Sequence, residues 1–142
     1  MNSSTFGRAG ELKAAAAFRK KGFKIIAENY RAGPGELDIV AYKRGLVVFV
    51  EVKTRSGSSF GGPADAVGGQ KRQRIVGAAE QFLREQQSSG CVLVYSRLLR
   101  KKTPKRVKRT RFDIAEVFMS RDLKRHSVNI IENAFDGVNI FV

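Results

Sequence analysis

The stretch Leu46–Val52 reads Leu-Val-Val-Phe-Val-Glu-Val and is the most apolar run in the chain. It is β-branched and apolar on both faces, so it predicts a central strand covered on both sides. Lys43-Arg44-Gly45 just before it is a hairpin signal that ties it to the preceding segment. The run ends on charges that a fold core does not need: Glu51, and Lys53 two residues on.

The segments around this strand sort by period. Gly7–Gly22 is Ala-rich and reads as a helix stopped by Gly22. Phe23–Tyr30 reads as a strand, Ala32-Gly33-Pro34-Gly35 as a turn, and Glu36–Tyr42 as a second strand. A Gly- and Ser-rich loop follows over Thr54–Pro63, then a helix over Ala66–Gln87 and a strand over Cys91–Leu99. In Arg111–Met119 the residues Phe112, Ile114 and Phe118 alternate against Arg111, Asp113 and Val117, which predicts another strand. The tail 120–142 is mixed, with a short strand at Ser127–Ile131. The order α-β-β-β-α-β-β predicts an α/β fold, a mixed sheet flanked by helices, as one domain over residues 1–142 with its core at about 7–119.

Charge narrows the partners. The chain carries 27 basic and 13 acidic residues, a net charge of +14 over 142 residues. Such an excess points to nucleic acid, held by phosphate contacts and counterion release, with ribosomal RNA or an anionic lipid surface as rival polyanions. Residues 97–111 hold nine basic residues and no acid, as a loop or edge hairpin around Pro104. Arg100, Lys101, Lys102, Lys105, Arg106, Lys108 and Arg109 are its candidate phosphate contacts, with Arg55 and Lys71 outside it. No run of ~18 apolar residues predicts a membrane span. The N-terminal residues lack the pattern of a signal peptide, and Cys91 is the only cysteine, so a cytoplasmic protein without disulfides is expected.

The candidate site comes from charges in costly places. Strand parity puts Glu51 and Lys53 on one face, with Val50 and Val52 on the other. On the preceding strand Glu36 and Asp38 share a face, with Leu37 and Ile39 opposite. Counting outward from the Lys43-Arg44-Gly45 turn brings Asp38 opposite Glu51. At about 100° per residue, Glu11 falls on the helix face of Ala14, Ala15 and Phe18, either as a site residue or as an edge glutamate paired with Arg8. Lys71 runs along the edge of the Ile75, Ala78, Ala79 and Phe82 face, either snorkelling to solvent or reaching a phosphate. Two oxygen ligands beside an ammonium suit a hard cation that cleaves phosphodiesters. Asp38, Glu51 and the Val52 carbonyl would hold Mg²⁺ or Mn²⁺, Glu11 would add a ligand, and Lys53 would orient water or offset developing charge. The competing reading of Asp38 with Lys53 is a cross-strand salt bridge.

Asp38 followed by Glu51-Val52-Lys53 resembles the PD-(D/E)XK nuclease pattern. The ordered set Gly7-Arg8-Ala9-Gly10-Glu11, Glu28-Asn29-Tyr30-Arg31, Gly35–Ala41, Val48–Arg55, Gly62-Pro63, Ala66-Val67, Lys71, Arg74-Ile75 and Arg111–Ile114 resembles the bacterial YraN family of uncharacterised proteins. That family is similar to archaeal Holliday-junction resolvases. The resemblance implies a restriction-endonuclease-like fold and a resolvase-type site of Glu11, Asp38, Glu51 and Lys53, with Lys71 nearby. It also implies branched or flap DNA as substrate and a homodimer that makes two symmetric cuts. A non-catalytic DNA-binding module on the same fold, and an RNA-binding protein, are the alternatives.

Overall fold

The computed structural model describes residues 3–56, 68–86 and 90–136. Helix α1 (Ser3–Lys20) leads into strands β1 (Lys24–Ala32), β2 (Gly35–Lys43) and β3 (Leu46–Ser56). Helix α2 (Gly69–Arg84) follows, then β4 (Cys91–Ser96), β5 (Lys101–Arg106), β6 (Arg109–Met119) and β7 (His126–Phe135). Five strands form one sheet in the order β1-β2-β3-β6-β7, antiparallel except for the parallel pair β3 and β6. This is the expected mixed α/β sheet with a helix on each face, the arrangement of a restriction-endonuclease-like fold. Residues 57–67 and 87, which include most of the Gly/Ser-rich loop and the expected ends of the second helix, lie outside the described residues.

Strand β3 is central because it is apolar on both sides. Val47 and Phe49 join the core under α2, with Leu37, Val40, Ile75, Ala79 and Phe82. Leu46, Val48 and Val50 join the core under α1, with Ala14, Ala15, Phe18, Ile39 and Ala41. Two glycines let the helices close on the sheet. A side chain on Gly10 would collide with Thr54 of β3, and one on Gly35 with the Arg74 carbonyl of α2. Both contacts lie near the Asp38–Glu51 region, so the middle of α1 and the second turn of α2 seat against the sheet there.

The β2–β3 turn is Arg44-Gly45, with φ of 48° and 87°. Two positive values in a two-residue loop make a type I′ turn, which fixes the hairpin register. Lys43 pairs with Leu46, and pairing runs out to Ile39 with Val50.

Three expectations change. Leu37 and Ile39 do not share a face: Leu37 lies in the α2-side core and Ile39 in the α1-side core. The strand changes face at Asp38, opposite Asn29, which has a φ of 50°. Of the loop or edge hairpin expected over 97–111 the hairpin forms, but in a separate two-stranded sheet where β5 pairs with β4 and Pro104 lies on an edge strand. Strand β6 is covered on both faces instead of alternating buried against exposed. Val117 belongs to the α1-side core and Asp113 is fully buried.

Asp113 is compensated. Arg111 donates to both of its carboxylate oxygens, at 2.8 and 2.9 Å. The Asn133 N–H adds a bond of 2.9 Å where the β6–β7 register shifts. Arg111 therefore serves the fold rather than the basic surface. Removing one partner of a buried ion pair strands the other charge and costs about 3–5 kcal/mol. Arg111→Ala should lose that much in urea unfolding, whereas Arg109→Ala, an exposed change, should stay within about 0.5 kcal/mol.

Candidate functional site

From the type I′ turn outward, every second residue of β3 turns its N–H and C=O toward β2. Leu46, Val48 and Val50 do so, and Val52 would be next, opposite Leu37. That pair does not form, and β2 parts from β3 after Ile39 and Val50. The Asp38 carboxylate takes over instead, accepting the Val52 N–H at 2.8 Å. The Val52 carbonyl points toward the same gap, because both main-chain groups of a strand residue face one neighbour. Asp38 thus sits in the fork between two strands, in the register counted from the turn.

Glu51 lies beside this fork with its side chain 11 % exposed. By parity it faces α2, as do Val47 and Phe49. Lys71, in the first turn of α2, reaches it with Nζ 2.6 Å from Oε1. That bond raises the Lys71 pKa and outweighs partial burial, which acts to lower it, so the ammonium form is held. Lys71 therefore does more than snorkel: its outer stem is exposed while its charge is spent on Glu51.

Lys53 shares the α2 face of β3 with Glu51 and stands in register with Glu116 of β6. Glu116 is nearly buried, and Asn129 of β7 donates to it at 3.2 Å. This polar row, Lys53–Glu116–Asn129, was not anticipated. The only sequence signal for it was a glutamate at an even position of a strand expected to be apolar there.

Glu11 belongs to the other helix. It pairs with Arg8 at 3.7 Å, as the alternative reading held, yet its charge is felt at Asp38. Among the described residues no three His, Cys, Asp or Glu side chains are gathered closely enough to hold a metal ion. Asp38, Glu51 and the Val52 carbonyl remain as a smaller oxygen set. This suits Mg²⁺, which keeps several waters and takes one or two carboxylates with substrate phosphate as further ligands. Arg55 is half-buried in the last turn of β3, and Arg100, Lys101, Lys102, Lys105, Arg106, Lys108 and Arg109 are all exposed.

The basic residues do not surround the acids. The Lys108 and Arg109 N–H groups both donate to the Gly45 carbonyl, at 2.7 and 3.2 Å. They lie at the turn end of the β2–β3 hairpin, five residues and about 17 Å along the strand from Asp38 and Glu51. The β4–β5 hairpin covers that same end, since Tyr42 donates its hydroxyl to the Arg106 carbonyl at 3.3 Å.

The family model for the uncharacterised protein family UPF0102 matches residues 10–117. The chain belongs to that family. A UPF0102 protein from Caldicellulosiruptor saccharolyticus is 34% identical over 135 residues, covering 95% of this chain and all of that protein. One from Caldanaerobacter subterraneus subsp. tengcongensis is 38% identical over 136 residues, 95% of this chain and 98% of the relative. One from Syntrophotalea carbinolica is 48% identical over 81 residues, 57% of this chain and 66% of that relative. The UPF0102 match begins at Gly10, within α1, and ends at Val117, within β6, so it includes the strand fork and α2. No helix among the described residues is long and apolar enough to cross a membrane.

The fork is electrostatically unfavourable in isolation. Burial, and then the Glu51 charge, push the Asp38 carboxyl from 3.8 up to about 7, with Glu11 and Glu36 adding to the effect and the Val52 N–H opposing it. A raised folded-state pKa means the native protein binds the proton more tightly than the unfolded chain. Its stabilising effect is complete below pH 4 and disappears as pH rises through about 7. Above that, the folded state carries a charge it disfavours. Asp38→Asn keeps an acceptor for Val52 and removes the charge. In chelator at pH 8 it should be more stable than wild type by about 2 kcal/mol, part of the gain being offset by the lost attraction to Lys71. At pH 4 the two should unfold at the same urea concentration.

Proposed function

We propose that this UPF0102 protein is a Mg²⁺-dependent endonuclease-like protein that hydrolyses phosphodiester bonds of DNA, with branched or flap DNA as its substrate. The observation that carries the reading is the Asp38–Glu51 pair, held in a strand fork with a main-chain carbonyl beside it and a lysine 2.6 Å from one acid. A structural ion pair needs one acid for one base. Here two acids, Asp38 and Glu51, are drawn together at the fork, and burial with the Glu51 charge raises the Asp38 pKa.

Asp38, Glu51 and the Val52 carbonyl would hold the metal. When bound, Mg²⁺ supplies Lewis-acid stabilisation of the phosphate and a lowered pKa for bound water. Lys53 presents a fixed positive charge on the same strand face, placed to orient the attacking water and offset charge developing on phosphorus oxygens. Lys71 holds Glu51 in place and can turn to a phosphate oxygen as the acids take up a cation. Glu11 keeps the local field negative from the α1 side. The basic hairpin grips the polyanion away from the chemistry. A cytoplasmic protein acting as a dimer fits two symmetric cuts in a branched substrate.

The second reading is a DNA-binding module that no longer cleaves. The observation favouring it is the Lys71–Glu51 bond, which already neutralises one of the two acids.

A cleavage panel on linear, flap and four-way DNA with Mg²⁺ and with Mn²⁺ separates the two. Asp38→Ala and Glu51→Ala should each lower cleavage by roughly a hundredfold or more while leaving DNA affinity within about threefold. Undiminished cleavage by both variants would sink the endonuclease reading. No cleavage of any substrate by wild type, with intact binding, selects the second. Binding itself should fall with salt, and each Lys→Gln change at Lys101 or Lys105 should reduce the slope of log affinity against log salt by about 0.9.

A further inference from the structure

The β4–β5 hairpin ends in the four-residue loop Arg97-Leu98-Leu99-Arg100. The loop has a defined shape: the Leu99 N–H donates to the Ser96 hydroxyl oxygen at 3.3 Å, and Arg100 takes a φ of 52°. The strands of the hairpin are anchored along their length. Val92 and Val94 are buried in the α2-side core, and the Lys24 ammonium donates to the Tyr95 carbonyl, two residues short of the loop, at 3.0 Å. The loop itself extends beyond these anchors. Leu98 is 91% exposed and Leu99 57%, and Tyr95, paired across the ladder with Lys102, is 53% exposed.

Single exposed leucines are ordinary. Two in succession at the apex of a short hairpin are not, when every charged neighbour is a cation. Arg97, Arg100, Lys101 and Lys102 frame the leucines, Lys105 and Arg106 continue down the return strand, and no acid occurs between Arg97 and Arg111. A tip meant only to be solvated has no use for the leucines, and a surface meant only to attract phosphate has no use for them either.

We infer that the hairpin is a nucleic-acid wedge: Leu98 and Leu99 enter between bases at a branch or kink, while the flanking cations hold the phosphates on either side. Apolar side chains that unstack a base step do so where backbone contacts recover the unstacking cost, and a branch point offers bases that are already partly unstacked. Tyr95 and Lys102 on the outer face add an aromatic surface and a charge for a displaced base. The arrangement favours nucleic acid over lipid. Lipid docking needs cations gathered at one depth around the apolar tip. Here they run along a hairpin about 20 Å long, the way a phosphate backbone runs. This inference rests on the endonuclease reading for its choice of branched DNA, and it names the element that would make that choice.

The test uses the full chain in EDTA, so that cleavage plays no part. Affinities are measured for a four-way junction and for a linear duplex of equal length, with 2-aminopurine at the branch point. Leu98→Ser/Leu99→Ser alters only exposed side chains, and a matching urea transition confirms its fold. It should bind the junction about tenfold more weakly than wild type, bind the linear duplex equally well, and lose the 2-aminopurine fluorescence rise produced by wild type. Lys101→Gln/Lys102→Gln should weaken both DNAs together and keep the fluorescence rise for the bound fraction. An unchanged junction affinity for the leucine variant, or an equal loss on both DNAs, overturns the wedge. So does leucine-dependent binding of wild type to phosphatidylserine vesicles with none to DNA. Failure of cleavage in Mg²⁺ leaves a positive result here standing, and failure of the wedge leaves cleavage dependent on Asp38 and Glu51 untouched.

Discussion

The 2.8 Å bond from the Val52 N–H to the Asp38 carboxylate is the interaction on which the site depends. A regular hairpin would have paired Val52 with Leu37 and closed the sheet. Parting the strands without it would leave a main-chain donor with no partner inside the protein. By substituting a side chain for a strand, Asp38 lets β2 diverge while that donor stays satisfied. The fork brings a carboxylate and a main-chain carbonyl to the middle of an otherwise apolar sheet. The change of face in β2 follows from the same event, and so does the close seating of α2 on Gly35, which carries Lys71 to Glu51.

Two aspartates show how differently the fold treats charge. Asp113 is wholly buried and receives two Arg111 bonds and the Asn133 N–H, so its charge is fully answered. Asp38 is less enclosed but receives one main-chain bond and faces Glu51, with Glu11 and Glu36 beyond. In a chain of net charge +14, cations were available to answer it. Lys71 goes to Glu51 instead. Two carboxylates held together at one point of a strongly basic protein are what the proposed cation site rests on.

Much of the site was legible in the sequence because each step rested on short-range geometry. A two-residue turn fixes register, so the ladder could be counted from Lys43-Arg44-Gly45 out to Ile39 and Val50, one step short of Asp38 and Glu51. Helical phase placed Lys71 on the sheet side of α2 and Glu11 near its Arg8 partner. What failed was reasoning that assumed an unbroken ladder. Period-two parity put Leu37 and Ile39 together, and the fork at Asp38 separates them. Alternation in β6 suggested one face buried against one exposed, but Phe112 and Ile114 join the α2-side core while Ala115 and Val117 join the α1-side core. Arg111 looked like one more cation in a basic run because its acid sits two residues on in the same strand, where opposite charges read as solvated surface.

The position of the basic hairpin was not legible at all, and it limits what can occupy the protein. Its anchors at Gly45 and Tyr42 set it at the turn end of β2 and β3, while the acids lie at the fork. The two regions share the α2 face and are rigidly linked through β3, but about 17 Å of strand separates them. A mononucleotide or a lone phosphate ester cannot touch both. A nucleic-acid strand with 3.4 Å between successive phosphates along the helix axis reaches across in about five steps. Charge alone would have allowed any polyanion. On the proposed function, that spacing calls for a polymer long enough to reach from one end of the sheet to a phosphodiester several nucleotides away at the fork.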